Sequence, residues 1–247
     1  MTLQDGWQNV PDHTRSKSKA KSEMSFKTAP SVTDENVDPT PPYEDSVVDF
    51  RAPGLPARLN VVSATWGGVN VTEDIRSMVL ADETLALDMA NIYCVLMPDP
   101  VFGVQKTLSV LYQYEGADGE LCVLNAPEQG PARMLNIYPT AHKLSATEHI
   151  RALARPWTAG PHGEVEILAV LYGPDRIETP SVLNELARFF EGRRGQIRMT
   201  NAFFKADPWP NHRKSWTVYF RFLDSKKIQC VTGMEDGALE VPWSRTY

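Results

Sequence analysis

The sequence predicts an α+β fold, mainly β, made of two tandem β-rich repeats packed with approximate internal two-fold symmetry, each with four or five strands and one short helix. Three observations carry this prediction. Residues 91–123 are written a second time, in worn form, at 201–231: Asn91 and Asn201, Asp99-Pro100 and Asp207-Pro208, Lys106 and Lys214, and Cys122 and Cys230 fall at a nearly fixed offset. After each lysine comes a strict alternation, with Leu108, Val110, Tyr112 and Tyr114 in one copy and Trp216, Val218, Phe220 and Phe222 in the other. Period-two patterning rich in aromatic and β-branched residues marks a strand with one buried face. A polar turn and a second short apolar run follow, Leu121 to Leu124 or Ile228 to Val231, so each copy reads as a β-hairpin.

In order, Leu59 to Trp66 is apolar on both faces, with Leu59 and Val61 on one side and Val62, Ala64 and Trp66 on the other. That pattern predicts a central strand buried on two sides. Gly67-Gly68 ends it, and Thr72 is placed to cap a short helix, with Glu73 and Asp74 in the first turn and Ile75, Met78 and Val79 on the buried stripe. Leu85, Leu87 and Met89 alternate with Ala86, Asp88 and Ala90 as the next strand, and a long loop runs from Asn91 to Gln105. The second repeat copies the plan. Val165 to Tyr172 matches the first strand, and Thr179-Pro180 starts a helix with Val182, Leu183, Leu186, Phe189 and Phe190 at helical spacing up to Gly192. Ile197 and Met199 stand for Leu87 and Met89, while Leu239 and Val241 echo Leu135 and Ile137 as a closing strand. The first repeat is thus bounded at 57–140 and the second at 164–247. Between them, 141–163 is a connecting segment in which Ser145-Ala146-Thr147-Glu148 has the form of a capping box, predicting a helix to Ala154 that buries Ile150 and Leu153.

The run Asp99-Pro100, Gly103, Lys106, Leu108, Val110 to Tyr114, Gly116 and Val123-Leu124 resembles the C-terminal domain of the mitochondrial DnaJ-like co-chaperones of subfamily C, member eleven. Ala64 to Gly67, Val71-Thr72 and Met78-Val79 are similar to that domain in order and spacing. The likeness spans roughly residues 59–138 and, weakly, 165–243, where the glycine after Asp-Pro is absent. No His-Pro-Asp tripeptide and no J-domain helix pattern occurs, so the resemblance implies a domain without assigned chemistry and no action through Hsp70. It also implies that a mitochondrial location is worth testing.

The chain has 247 residues, 42% hydrophobic and 23% charged, which suits one or two globular domains. A net charge of −6 argues against a nucleic-acid partner, whose grip depends on a Lys/Arg-rich face. No apolar run is long enough for a transmembrane segment. Cys94, Cys122 and Cys230 form an odd set in apolar contexts, which points to buried thiols in a reducing, intracellular and cytoplasmic setting. No metal site is expected, since Cys-x-x-Cys and His-x-x-x-His spacings are missing, and no cofactor, since no glycine-rich stretch has nucleotide-loop spacing. Residues 1–56 hold few large hydrophobes and many Ser, Lys, Pro, Asp and Glu, which predicts a disordered tail. It lacks the Arg-rich, acid-poor character of a presequence.

The Asp-Pro loops are the candidate ligand-binding sites: Asp99 and Lys106 in the first, and Asp207, Trp209, His212, Arg213 and Lys214 in the second. One reading gives Arg213 to a carboxylate or phosphate and Trp209 to an aromatic ligand. The other has the aspartates cap turns pre-set by the prolines, Trp209 cover the core edge and the cations stand in water. Recurrence of Asp-Pro and Lys favours the structural role, whereas Trp209 and Arg213, matched by Val101 and Gln105, are free to be functional. No nucleophile or carboxylate dyad can be placed against His212, and Gly192-Arg193-Arg194-Gly195 is explained by helix C-terminus chemistry. Together these features predict a non-catalytic protein-interaction or scaffold module with a protein partner. The alternative is a small-molecule binding protein or enzyme of isomerase or cyclase type, with a cleft between the repeats lined by Trp209, Tyr93 and Phe102.

Overall fold

The computed structural model describes residues 57–115, 120–130, 133–138, 151–158, 162–192, 195–225 and 227–240. The tail assigned to 1–56, the capping box at 145–148, Arg193, Arg194 and Val241 lie outside the described residues. The first half comprises β1 (Leu59–Trp66), β2 (Val69–Asn70), α1 (Thr72–Ser77), β3 (Leu85–Asp88), α2 (Ile92–Val95), β4 (Thr107–Tyr114), β5 (Cys122–Pro127) and β6 (Met134–Ile137). After β7 (Arg151–Leu153) and β8 (Trp157–Thr158) the same order returns: β9 (Val165–Tyr172), β10 (Asp175–Arg176), α3 (Pro180–Phe190), β11 (Ile197–Arg198), α4 (Asn201–Phe204), β12 (Ser215–Phe222), β13 (Gln229–Met234) and β14 (Ala238–Leu239). The fold is α+β and mainly β. Each half holds one two-residue strand and one single-turn helix beyond the predicted set, because elements that short leave no periodicity to read.

The hairpins form as the alternation requires. β4 pairs antiparallel with β5, and β12 with β13. One large sheet runs β2-β1-β4-β5-β7; the other runs β10-β9-β12-β13, with β8 added to β9. β3 pairs with β6 and β11 with β14 as two small ladders, which gives Leu135, Ile137 and Leu239 the closing-strand positions expected of them.

The sheets stack in layers. Leu108, Val110, Tyr112 and Tyr114 face Ile75, Leu85, Leu87 and Met89 in one core. Val218 and Phe220 face Leu186, Phe190 and Met199 in another. The opposite faces of the two large sheets meet through Leu111, Val123, Leu168, Ala169, Leu171 and Tyr219. Polar pairs pin this middle layer: the Thr65 and Thr217 hydroxyls lie 2.9 Å apart, Tyr219 donates to the Ser109 carbonyl at 3.3 Å, and Asn125 donates to the Gly173 carbonyl at 3.1 Å.

This layering corrects the first strand. β1 is not central, since β2 meets only its last two residues; both faces are buried because one meets the helical layer and the other meets the second sheet. A register shift between Val61 and Ser63 marks a bulge at Val62, so Leu59, Val61, Ala64 and Trp66 share one face rather than dividing between two. The same shift occurs on β9 opposite Tyr219 and Phe220, at the matching place.

The connecting helix is also corrected. Residues 151–153 form a strand on the free edge of β5, and Trp157 and Thr158 pair with Ile167 and Glu166 of β9. The segment therefore adds one strand to each large sheet. Unpaired backbone groups along a sheet edge outcompete a weak local helical pattern, as tertiary context commonly does. Thr72 does not cap α1 either. Its hydroxyl accepts from the Ala64 amide at 2.9 Å, tying the helix start to β1, and Val71 holds the cap position without a side-chain bond. Thr179 does stand at the start of α3, with Pro180 behind it, but its side chain makes no capping bond.

Candidate functional site: two buried lysines and the loops they hold

Lys106 and Lys214 lead into β4 and β12, and they are 3% and 2% exposed. They are therefore not the solvated cations of the structural reading. An ammonium removed from water must be paired and hydrogen-bonded, and each lysine meets that demand from its own half. Lys106 Nζ donates to the Val104 carbonyl at 2.7 Å and the Val101 carbonyl at 3.4 Å. It also lies 3.2 Å from Asp99 Oδ2 and 3.5 Å from Glu128 Oε2. Lys214 Nζ repeats the pattern: the His212 and Trp209 carbonyls at 2.9 and 3.3 Å, Asp207 Oδ1 at 2.9 Å and Glu235 Oε2 at 3.2 Å. The chain between Asp-Pro and Lys is wrapped around an ammonium.

Other residues complete each knot. The Glu128 and Glu235 carboxylates accept from the backbone amides of Lys106 and Lys214, both at 3.1 Å, and their own amides return bonds to the lysine carbonyls at 2.8 and 2.7 Å. The lysine stems run beside Gly67 and Gly173, both at φ +54°; a Cβ on Gly67 would stand 2.8 Å from Lys106 Cδ, and one on Gly173 3.1 Å from Lys214 Cγ. The ammonium groups lie over aromatic rings, Trp66 at 5.6 Å and Tyr172 at 5.4 Å from the centroids. Sequence reasoning missed Glu128, Glu235, Trp66 and Tyr172. The glutamates stand 22 and 21 residues from their lysines, and only a search for further acids at the same offset between copies would have found them.

The second knot carries an added polar link. The Tyr172 hydroxyl donates to Glu235 Oε1 at 2.7 Å and lies 2.6 Å from Asn201 Oδ1. Burial, then the Glu235 carboxylate, raises the Tyr172 phenol well above its ordinary value. For Glu235, burial pushes upward, but the bonds from Tyr172 and Lys214 and the ammonium charge prevail, holding its carboxyl below the usual range.

Asp99, Lys106, Asp207 and Lys214 are thus brought together within each loop, and Asp99 Oδ1 also accepts from the Val101 amide at 2.9 Å, a turn cap. Trp209 is half-buried; His212 and Arg213 are exposed. The His212 ring stacks on Trp209 with centroids 4.8 Å apart, and its Nδ1 lies 2.9 Å from the Pro210 carbonyl. Together they form an outward aromatic and cationic rim. On the first loop the outward residues are apolar: Tyr93 is 45% exposed, Val95 55%, Met97 68% and Phe102 93%. The middle layer between the two large sheets packs side chains from both of them.

All three cysteines are free. Cys94 is exposed, against the expectation of buried thiols, and burial raises the Cys230 thiol to about 11. Among the described residues no group of three or more His, Cys, Asp or Glu side chains is arranged to hold a metal ion, and no helix is long and apolar enough to cross a membrane. Compared with protein-family models, curated proteins and solved structures, the chain matches none.

Proposed function

We propose that the chain is a non-catalytic protein-interaction module, built from two copies of one ancestral unit, whose contact surface is the loop between β3 and β4. The observation that carries this reading is the set of apolar side chains turned outward there, Tyr93, Val95, Met97 and Phe102, on a loop anchored at its end by Lys106. A loop held from behind presents such a patch with little ordering left to do on binding. The resemblance to a domain appended to co-chaperones, and the engagement of both recurring lysines with their own loops, support the same reading. The free cysteines fit an intracellular protein. The test is affinity capture from native extract with wild type beside the Met97→Ser/Phe102→Ser double variant. These side chains are exposed, so the variant should melt like wild type while losing the captured partner. Retention of the same partner at the same yield would overturn the assignment.

A further inference from the structure

The order of strands in the two stacked sheets runs in opposite directions: Asn125 of β5 reaches the Gly173 carbonyl just past β9, the Thr65 hydroxyl of β1 meets Thr217 of β12, and Gly68 lies against Gly233 of β13. One flank of the stack is stitched by the connecting segment, which lays β7 on the edge of β5 and β8 on the edge of β9. The opposite flank presents the outer edges of β1 and β13. On β1, Arg76 covers two carbonyls, donating from Nε to Val61 at 2.8 Å and from Nη2 to Val62 at 3.3 Å. On β13, no strand among the described residues pairs with the outer edge.

β5 and β13 hold the same place in their halves, but their burial differs. Residues 123 to 126 of β5 are buried, and no residue of β13 is. The Glu235 amide donates to the Lys214 carbonyl. Counted from that bond, the alternation of an antiparallel ladder turns the backbone N–H and C=O groups of Cys230 and Thr232 away from β12. In β5 the matching groups are taken up by the connecting segment: Val123 pairs with Ala152, and the Leu121 carbonyl accepts from the Ala154 amide at 2.8 Å. Exposed sheet edges are ordinarily blunted by a charge or a proline, yet Ile228 to Met234 holds neither. The charges stand just outside that stretch, the exposed Lys227 at one end and Glu235 with the exposed Asp236 at the other.

We propose that β13 pairs with β13 of a second copy of this chain, antiparallel and across a two-fold axis at Val231, joining the two β10-β9-β12-β13 sheets into one. An axis normal to the sheet requires facing residues to lie on the same side of it, so Val231 faces Val231 of the other copy, Cys230 faces Thr232 and Lys227 faces Glu235. This register gives the outward N–H and C=O groups of Cys230 and Thr232 hydrogen-bonded partners. It also sets Lys227 of each copy against the Glu235-Asp236 turn of the other, whereas a parallel pairing would bring like charges together. Charge complementarity therefore selects both the partner and the strand direction. A ladder this short buries little area, so the dimer is weak, with a Kd on the order of 10–100 μM.

The experiment is sedimentation equilibrium of the full chain at concentrations from about 1 to 300 μM, which bracket that Kd. A monomer–dimer equilibrium is expected for wild type. Thr232→Pro removes an outward N–H and leaves the backbone bonds to β12 in place, so it should abolish the dimer. The Thr232 hydroxyl also donates to the Trp216 carbonyl at 2.7 Å, so a second variant, Lys227→Glu at an exposed position, keeps the test open if Thr232→Pro fails to fold. Lys227→Glu should weaken dimerisation on the order of tenfold, since two-fold symmetry makes the substitution act twice. The Met97→Ser/Phe102→Ser variant should dimerise like wild type, because the proposed contact lies on β13 and not on the loop between β3 and β4. The proposal is overturned if wild type stays monomeric throughout, if Lys227→Glu or a folded Thr232→Pro dimerises like wild type, or if loss of Met97 and Phe102 abolishes the dimer.

Discussion

Trp66 and Tyr172 stand at the same place beside a buried lysine, one in each half, and they leave their surroundings in different states. The Tyr172 hydroxyl donates to Glu235 and lies against Asn201 Oδ1, so carboxylate, phenol and ammonium form one connected polar network. Trp66 is fully buried, and its indole Nε1 has no hydrogen-bond partner among the described residues. The contacts of Lys214 are also shorter, 2.9 and 3.2 Å to its carboxylates against 3.2 and 3.5 Å for Lys106. The comparison shows that one backbone plan needs the buried ammonium in both halves, while the ring beside it can be changed so long as the loss of a polar link is tolerated. The surfaces outside the knots, by contrast, share little chemistry: Trp209, His212 and Arg213 on one loop, Tyr93, Val95, Met97 and Phe102 on the other.

The largest test of that comparison is to remove each ammonium. Taking one partner from a buried ion pair costs about 3–5 kcal/mol when both are deeply buried. Asp207, 42% exposed, and Asp99, 22% exposed, keep some water, which lowers both values; the shorter contacts of Lys214 set the order, about 3 kcal/mol for Lys214→Met and about 2 kcal/mol for Lys106→Met. Denaturant unfolding of both variants measures this. The reverse order would show that the length of the ion contacts does not set their value.

Next comes the phenol. Tyr172→Phe should cost about 1–2 kcal/mol by leaving the half-buried Glu235 carboxylate without this donor, and it should also change the response to acid. Glu235 titrates below the usual glutamate value of 4.5 in the folded chain, so its contribution is complete above that value and is lost as pH falls through the lower folded value. Without the Tyr172 bond the Glu235 value moves up, and the loss of stability between neutral pH and pH 4 should be shallower than in wild type. Unfolding free energies across that range check the sign, and a steeper loss in Tyr172→Phe would contradict it.

An effect of the same size as that of the phenol, and the last test, concerns the glycines under the lysine stems. Gly67→Ala and Gly173→Ala both place a Cβ at φ +54°, but the new atom meets Lys106 at 2.8 Å and Lys214 at 3.1 Å. About 1–2 kcal/mol is expected for each, with Gly67→Ala the larger. Thermal melts of the two single variants are sufficient, and equal shifts would mean that backbone strain alone accounts for both.

Much of the fold was legible because strand faces write themselves into sequence. Leu108 to Tyr114 and Trp216 to Phe222 show which side is buried at sight, and the fixed offset between the two stretches carries each element from one half to the other. The bulge at Val62 was not legible, because Val61 and Val62 are both apolar and an extra residue between them leaves the pattern apolar either way. The bridging strands failed for a different reason: Ile150 and Leu153 have helical spacing, while the partner that decides, the edge of β5, is distant in sequence. The site divided the same way. Asp99, Lys106, Asp207 and Lys214 were visible as recurring residues, but burial of the lysines was not, since lysine is rarely buried without paired partners and those partners, Glu128 and Glu235, announce nothing locally.

The layer between the large sheets bears on how such a chain assembles. A first half released alone would expose a flat face carrying Leu111 and Val123, and the surface shaped to cover it is the matching face of the other half. Joined in one polypeptide, the two faces meet at the high effective concentration of a tether, on the order of millimolar for a short flexible link, so the pairing is insulated from dilution. The face between the halves is in this sense an interface that dilution does not open. The outer surface of each half can then change while the face between the halves stays as it is.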